Sequence, residues 1–150
     1  MTPEHVMIHH SLTKDSGTVS WGAIRKYHTE TKHWNDIGYH FGVELANVGR
    51  DGEPVPEILM GRGWSRNGAH CRHAGMNRKS LGVCIVGNYD EIKPPDDVFL
   101  ASAKFVAFLC NYFGIDVEGI VGHRDFNPAK SCPGELFDLD DFRECVEERL

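Results

Sequence analysis

The sequence has no long hydrophobic run. The opening residues, MTPEHVMIHH, lack a basic segment followed by an apolar one. No later stretch approaches the roughly 18 apolar residues that are needed to cross a bilayer. We therefore expect a chain that is made in the cytoplasm without a signal peptide and that does not insert into a membrane.

An excess of positive charge is also missing. The chain has 16 Lys and Arg against 22 Asp and Glu, which gives a formal net charge of −6. A general nucleic-acid binder needs a cationic surface to displace phosphate counterions, so the composition argues against nucleic acid as a partner. A basic cluster at 66–79 is interpreted as a polar loop, because its Gly and Asn residues are typical of turns.

Paired cysteines are absent. The sequence has five cysteines, an odd number, and contains neither a CxxC nor an HExxH motif. A disulfide scaffold is therefore not expected. Cys84 and Cys110 stand in apolar runs and are predicted to be buried packing residues. Cys132 differs from them, because a Ser precedes it and a Pro-Gly pair follows it in a predicted loop.

No internal repeat, low-complexity tract or long linker divides the chain. Its 150 residues, 41% of them hydrophobic, suffice for one buried core. We expect a single domain over residues 1–150.

Hydrophobic periodicity predicts the order of the secondary structure elements. Strands are predicted at 5–9, 38–45, 57–62, 80–88 and 117–122, with a loop at 11–18 and a hairpin-like turn within 46–57. Three helices are predicted: one that begins at the N-cap Ser20, one that spans 96–113, and one that begins near Asp138. This order predicts an α/β (α+β) fold, with a mixed central sheet of about five strands flanked by three main helices.

Two helices show an apolar stripe at helical spacing. In the helix at 96–113 the stripe consists of Val98, Ala101, Phe105, Phe108 and Tyr112. In the last helix the expected buried stripe consists of Leu139, Phe142, Val146 and Leu150.

Histidine is abundant, with nine residues, and several stand where predicted strands end. His9 and His10 end the first strand, His123 ends the last one, and Cys132 follows in the next loop. Two imidazoles and a thiolate are a ligand set that holds zinc with a fourth position open for water. The residues therefore suggest a catalytic zinc site, although a histidine at a strand end is also typical of ordinary hydrogen bonding.

Four motifs carry a resemblance that covers residues 5 to 142. They are MIHHSLT, DIGYHFGV, GAHCRHAGMNRKSLGVCIVGN and GHRDFNPAKSCPG, in this order. Together they resemble the zinc-dependent N-acetylmuramoyl-L-alanine amidases that are similar to amidase-type phage lysozymes and to peptidoglycan recognition proteins. The resemblance implies a peptidoglycan-recognition-protein-like fold.

The resemblance implies one Zn²⁺ per chain, bound by His9, His123 and Cys132. His9 matches the family pattern better than His10 does. Strand alternation supports a choice between them, because neighbouring residues of a strand point to opposite faces of the sheet. Only one of the two can face the site, and nothing beyond the motif match assigns the ligand to His9 rather than to His10.

Further roles follow from the same motifs. Tyr39 matches the family tyrosine that positions or deprotonates the attacking water, and Lys130 matches a lysine that assists the transition state. His70 either contacts the substrate or has a structural role. Arg124 and Asp125 are interpreted as bracing the loop by a salt bridge or turn contacts, with substrate contact as the alternative.

The implied activity is hydrolysis of the amide between N-acetylmuramic acid and L-alanine in peptidoglycan, by a phage or prophage endolysin. The expected partner is the muramyl peptide, and the expected state is a monomer. We expect a catalytic domain without a separate cell-wall-binding module, released to the cell wall with the help of a holin. The alternatives are a non-catalytic peptidoglycan-binding module and an amidase that also inhibits a polymerase.

Overall fold

A computed structural model describes residues 1–13, 20–46 and 49–150. Across these residues five strands form one sheet: β1 (His5–His10), β2 (Phe41–Ala46), β3 (Val55–Met60), β4 (Ser80–Ile85) and β5 (Ile120–Gly122). Their order in the sheet is β3-β2-β4-β1-β5. All neighbours are parallel except β2 and β3, which are antiparallel, so the predicted mixed sheet is confirmed.

The helices are α1 (Trp21–Lys26), α2 (Met76–Lys79), α3 (Asp96–Phe113), α4 (His123–Phe126) and α5 (Leu139–Glu147). A π-helical turn (Tyr27–Thr31) continues α1, and short 3-10 turns cover His73–Gly75 and Val117–Gly119. The predicted N-cap of α1 is confirmed, because the Ser20 hydroxyl accepts a hydrogen bond from the Ala23 N–H at 3.3 Å. Among the described residues no helix has the length and apolar character needed to span a membrane.

The two faces of the sheet pack against different parts of the chain. Because strand side chains alternate, Val6 and Ile8 of β1 join the main core with residues of α3 and α5. Met7 and His9 point to the opposite face, where α1 and the segment around α2 cover the sheet. This second face carries the chemistry described below.

The apolar stripe used to predict α3 only partly coincides with the face that the helix buries: Val98 is buried, and Phe105 packs against the core. Phe108 and Tyr112 are 55% and 63% exposed. The buried residues of α3 are Val98, Ser102, Ala103, Val106, Ala107, Leu109 and Cys110. Several of these are small, which lets the helix lie close to the sheet. An almost continuously apolar sequence cannot indicate this choice, because it offers more than one stripe.

Other predicted element boundaries also differ from those in the structure. The prediction that Leu150 lies in the buried stripe of the last helix is wrong: α5 ends at Glu147, and Leu150 is 50% exposed. The strand predicted at 117–122 is limited to β5, because residues 117–119 form a 3-10 turn. Residues 14–19, partly within the predicted loop, and residues 47–48 of the predicted hairpin lie outside the described residues.

Candidate metal centre

The candidate site lies where neighbouring parallel strands end. β1 pairs with β4 on one side and with β5 on the other, so their carboxyl ends share one edge of the sheet. His9 is the penultimate residue of β1, and His123 begins α4 directly after β5. Open α/β sheets commonly bind ligands in the crevice outside these strand ends.

Three potential metal ligands meet at this edge. One donor atom from each of His9, His123 and Cys132 lies within 4.8 Å of the other two. The Cys132 Sγ is 3.5 Å from the His9 Nδ1. A tetrahedral zinc ion with ordinary Zn–N and Zn–S bonds holds such a pair about 3.5 Å apart, so these donors fit zinc. In the chain as described, this is the one group of three or more His, Cys, Asp or Glu residues with such spacing.

His10 does not join this group. Its Nδ1 accepts a hydrogen bond from the Tyr89 N–H at 3.1 Å. Its main-chain N–H still serves the site, since it donates to the Cys132 sulfur at 3.3 Å. The two adjacent histidines therefore have different roles, because neighbouring side chains of a strand point to opposite faces of the sheet.

A chain of hydrogen bonds fixes the His9 ring. The His9 Nε2 lies 3.0 Å from the His70 Nδ1, and the His70 Nε2 lies 3.4 Å from the Ser80 carbonyl oxygen. The carbonyl can only accept, so His70 carries its proton on Nε2 and accepts from His9 at Nδ1. His9 then keeps the lone pair of its Nδ1 directed to Cys132, as a metal ligand requires.

Burial sets the protonation of these groups. It lowers the pKa of His9 well below the ordinary value. The same desolvation, with nearby positive groups, lowers the pKa of His70 to about 3 and that of His123 to about 4. The imidazoles are therefore neutral and able to bind a cation. Burial raises the pKa of the Cys132 thiol to about 12, and a coordinated cation would reverse this by taking the place of the proton.

The segment before and after Cys132 is held by main-chain contacts. The Arg124 N–H donates to the Cys132 carbonyl at 2.8 Å, and the Arg124 guanidinium donates to the Gly134 carbonyl at 2.8 Å. The Asp125 carboxylate accepts from the Gly122 N–H at 2.7 Å. Arg124 thus braces the segment around Cys132 through turn contacts, as predicted, and Asp125 fixes the turn at the start of α4.

Tyr39 lies beside the three potential metal ligands. Its ring centroid is 5.1 Å from that of His9, and the rings of Trp21 and His28 flank it at 6.2 and 5.7 Å. Burial, together with the neighbouring thiols of Cys84 and Cys132, raises the pKa of the Tyr39 phenol well above its ordinary value. The phenol therefore stays protonated and can donate a hydrogen bond.

Lys130 is exposed, two residues before Cys132. Its main-chain N–H donates to the Asn127 carbonyl at 2.9 Å. After burial, the positive charge of Lys130 is the next cause that lowers the pKa of His123.

A surface pocket of roughly 360 Å³ reaches His123, one of the three potential metal ligands. His70 and His123 line it, together with Trp34, Arg72 and Asn127. The structure thus places His70 both against His9 and at the pocket. Contact between His70 and a substrate stays a prediction.

Sequence reasoning missed two supporting residues. The Asn77 side-chain oxygen accepts from the N–H groups of both His70 and Cys71 at 2.8 Å, which fixes the segment that carries His70. Asp90 contacts the residues on either side of the Cys132-Pro133 pair. Neither residue carries a sequence signal, because each partner is known only from the fold. The His40 Nδ1 accepts a hydrogen bond from the Gly82 N–H at 2.9 Å, a structural contact that joins β4 to the residue before β2.

Comparisons with known proteins show what this chain is similar to. The endolysin of Enterobacteria phage T3 is 34% identical over 144 residues, covering 92% of this chain and 83% of the phage protein. Peptidoglycan-recognition protein 2 of Holotrichia diomphalia is 33% identical over 139 residues, covering 89% and 68%. The N-acetylmuramoyl-L-alanine amidase LysC of Clostridium intestinale shares the fold, with a TM-score of 0.80 and 21% identity over 98% of this chain and 87% of LysC.

The family of N-acetylmuramoyl-L-alanine amidases called Amidase_2 matches residues 1–135. These residues include His9, His123 and Cys132, and they cover every strand of the sheet. By this match and by its relatives, the chain belongs to the N-acetylmuramoyl-L-alanine amidase family.

Proposed function

We propose that this amidase is zinc-dependent and hydrolyses the bond between the lactyl group of N-acetylmuramic acid and the L-alanine of the stem peptide. The observation that carries the proposal is the convergence of His9, His123 and Cys132 beside a protonated Tyr39. An unactivated amide needs an activated water and stabilisation of the developing oxyanion. Zinc supplies both when bound, as a Lewis acid that also lowers the pKa of water.

The protein's own groups prepare the site for this cation. His9 and His123 are neutral, and the hydrogen bond from His9 to His70 orients the first ligand. The Cys132 thiol, buried beside a main-chain donor, would release its proton to the solvent and bind the cation as a thiolate. Two neutral ligands and one anionic ligand leave the centre with net positive charge, which suits an electrophile.

Tyr39 and Lys130 are the proposed catalytic residues. The protonated phenol of Tyr39 donates a hydrogen bond that orients the attacking water or the substrate carbonyl. The Lys130 ammonium brings a positive charge towards the oxyanion, where one preorganised donor contributes about 3 kcal/mol. His70 is proposed to support His9 and, from its place in the pocket wall, to contact the muramyl peptide.

The proposed biological role is that of a phage or prophage endolysin. The relative in phage T3 is named an endolysin, and it matches over most of both chains. In this role the domain acts on the cell wall as a monomer after release from the cytoplasm with the help of a holin.

A second candidate function is binding of peptidoglycan without cleavage, since other relatives are named peptidoglycan-recognition proteins. The complete set of three donors favours the enzyme, because passive binding requires no thiol at this position.

The test is metal analysis combined with a digest. The purified protein loaded with zinc is incubated with muropeptides, and the products are separated by mass. We expect one zinc per chain and release of free stem peptide with L-alanine at its amino end. Intact muropeptides at stoichiometric zinc would favour the binding module, and an active protein free of metal would contradict the zinc proposal.

A further inference from the structure

Asp90 lies in the segment that follows β4. It contacts residues 131 and 135, which lie on either side of the Cys132 thiol. Its Oδ2 accepts a hydrogen bond from the Ser131 hydroxyl at 2.7 Å. Its Oδ1 accepts from the Glu135 N–H at 2.9 Å. One carboxylate therefore joins the residue before Cys132 to a residue three positions after it, and it does so from a part of the chain more than 40 residues away.

The neighbours of Asp90 extend this attachment. The Leu136 N–H donates to the Tyr89 carbonyl at 2.8 Å, and the Tyr89 N–H donates to the His10 Nδ1 at 3.1 Å. Gly134 has a φ of 125° and lies so close to Tyr89 that an added Cβ would be 2.6 Å from its atoms. Tyr89 and Asp90 thus connect strand β1, which carries His9, to the segment that carries Cys132.

Arg124 and Asp90 hold complementary groups of the same segment. The Arg124 guanidinium donates to carbonyl oxygens, including that of Gly134, whereas the Asp90 carboxylate accepts from an O–H and an N–H. The segment is short and contains no regular helix or strand, so these side chains replace the main-chain ladder that a strand would provide.

Asp90 also brings a negative charge near the site. A carboxylate near a thiol disfavours the thiolate that a metal needs, and the Arg124 charge on the other side acts in the opposite direction. A carboxylate near a bound dication would also attract it, so the contributions of charge and of position are separated with Asp90→Asn, which removes the charge and keeps the hydrogen-bonding groups.

We propose that Asp90 is a positioning residue that sets the metal affinity of the site, by holding Cys132 in place through its hydrogen bonds to Ser131 and Glu135. This inference rests on the proposed function, in which Cys132 binds zinc. Residues that orient metal ligands through hydrogen bonds typically change metal affinity by about 10–100-fold when they are replaced.

The experiment measures the zinc dissociation constant of the full chain, stripped of metal, by competition with a chromophoric chelator. Asp90→Ala removes both hydrogen bonds and should weaken zinc binding by about 10–100-fold. Asp90→Asn removes the charge but keeps an oxygen for the Glu135 N–H and an amide for the Ser131 hydroxyl. We expect it to stay within about threefold of the wild type.

Glu91→Ala is the matched control, since it removes the same charge from the next residue, whose side chain is exposed. Its zinc affinity should equal that of the wild type. Ser131→Ala removes only one of the two hydrogen bonds and should weaken zinc binding less than Asp90→Ala does, which keeps the inference testable if Asp90→Ala does not fold.

Cobalt substitution and thermal unfolding separate positioning from a general structural role. If Asp90 only stabilises the fold, Asp90→Ala lowers the Tm of the metal-free and zinc-bound proteins equally and leaves the cobalt absorption spectrum unchanged. Positioning predicts a smaller rise in Tm on adding zinc and an altered cobalt–thiolate band.

The outcomes are distinguishable from failure of the proposed function. If the wild type binds no zinc, both proposals are overturned. If the wild type binds one zinc and Asp90→Ala binds it equally well, only the inference on Asp90 fails. Equal weakening by Asp90→Asn and Asp90→Ala would also overturn it, because charge rather than the hydrogen bonds would then be responsible.

Discussion

Two of the proposed ligands are held in different ways. His9 belongs to a strand in the interior of the sheet, paired with β4 along its whole length and with β5 over three residues, and its side chain is 1% exposed. Cys132 is also buried, at 5% exposure, but the segment around it is irregular and depends on a few contacts from Arg124, Asp90 and the His10 N–H.

The difference concerns how position is maintained. Many main-chain hydrogen bonds together hold a strand in place, so the loss of one side-chain contact changes the position of the strand little. An irregular segment depends on individual side chains, so one substitution can move it. We therefore expect the metal affinity to be sensitive to neighbours of Cys132 and insensitive to packing residues of β1.

The largest expected effect comes from Cys132 itself. Cys132→Ser should release the metal, and amidase activity should fall by more than about 1000-fold, because the polarisation and water activation supplied by zinc contribute several kilocalories per mole. Zinc content by atomic emission and product release from muropeptides measure the two effects. Unchanged zinc content in this variant would remove Cys132 from the ligands.

Ile8→Ala tests the strand side of the comparison. Ile8 is fully buried in the main core next to His9 in sequence, so its truncation should lower the free energy of unfolding by about 2–5 kcal/mol. The zinc dissociation constant of the folded protein should nevertheless stay within about threefold of the wild type, since the β1 ladder keeps the His9 backbone in place. Urea unfolding and zinc titration give both values. A tenfold loss of zinc affinity would show that the strand is as sensitive as the loop.

Tyr39→Phe separates chemistry from metal binding. The variant should keep one zinc per chain and lose about 100-fold in kcat, because the phenol that donates a hydrogen bond is gone. Steady-state kinetics with a defined muropeptide, beside metal analysis, gives the measurement. A rate equal to that of the wild type would mean that the reaction needs no phenol.

The stability of the metal-free protein should depend on pH through its buried histidines. The folded pKa of His40 is lowered by burial, and that of His70 is lowered to about 3, against an ordinary value of 6.5. The unfolded chain therefore binds protons first as the pH falls, so stability is full above about pH 6.5 and declines below it. The low pKa of His70 should cost about 2 kcal/mol between pH 7 and pH 5, and His40 should add a cost in the same direction.

Urea titrations in the presence of a chelator measure this decline. His33→Gln, a substitution of an exposed histidine, is the control variant. A midpoint that stays constant between pH 7 and pH 5 would contradict the lowered pKa values. Addition of zinc should raise the Tm at neutral pH, since the metal binds only the folded chain.

The smallest effect is expected on the outer face of α3. Phe108→Ser should change the free energy of unfolding by no more than about 0.5 kcal/mol, because the ring is 55% exposed. Leu109→Ala, at a buried position of the same helix, should cost about 2–5 kcal/mol. Equal effects in thermal unfolding would mean that the aromatic face is covered in solution.

Much of the fold could be read from local patterns. The apolar runs of β1 and β4 are short and bounded by turn residues, and the Ser20 cap marked the start of α1. The buried face of α3 could not be read in this way, because its nearly continuous apolar sequence fits more than one face. The end of the last helix was missed for a related reason: Leu150 continues the apolar stripe although the helix has already stopped.

For the candidate site, the sequence by itself determined which chemical groups are available: histidines at strand ends, a cysteine before Pro-Gly, and the tyrosine and lysine of the resembled family motifs. Strand alternation also required His9 and His10 to face opposite sides. Only the tertiary structure decided that His70 orients His9, that Asn77 holds His70, and that Asp90 joins both sides of Cys132. These contacts connect distant parts of the chain, and local residue preferences carry no information about which distant side chains the packing of the sheet and its loops brings together.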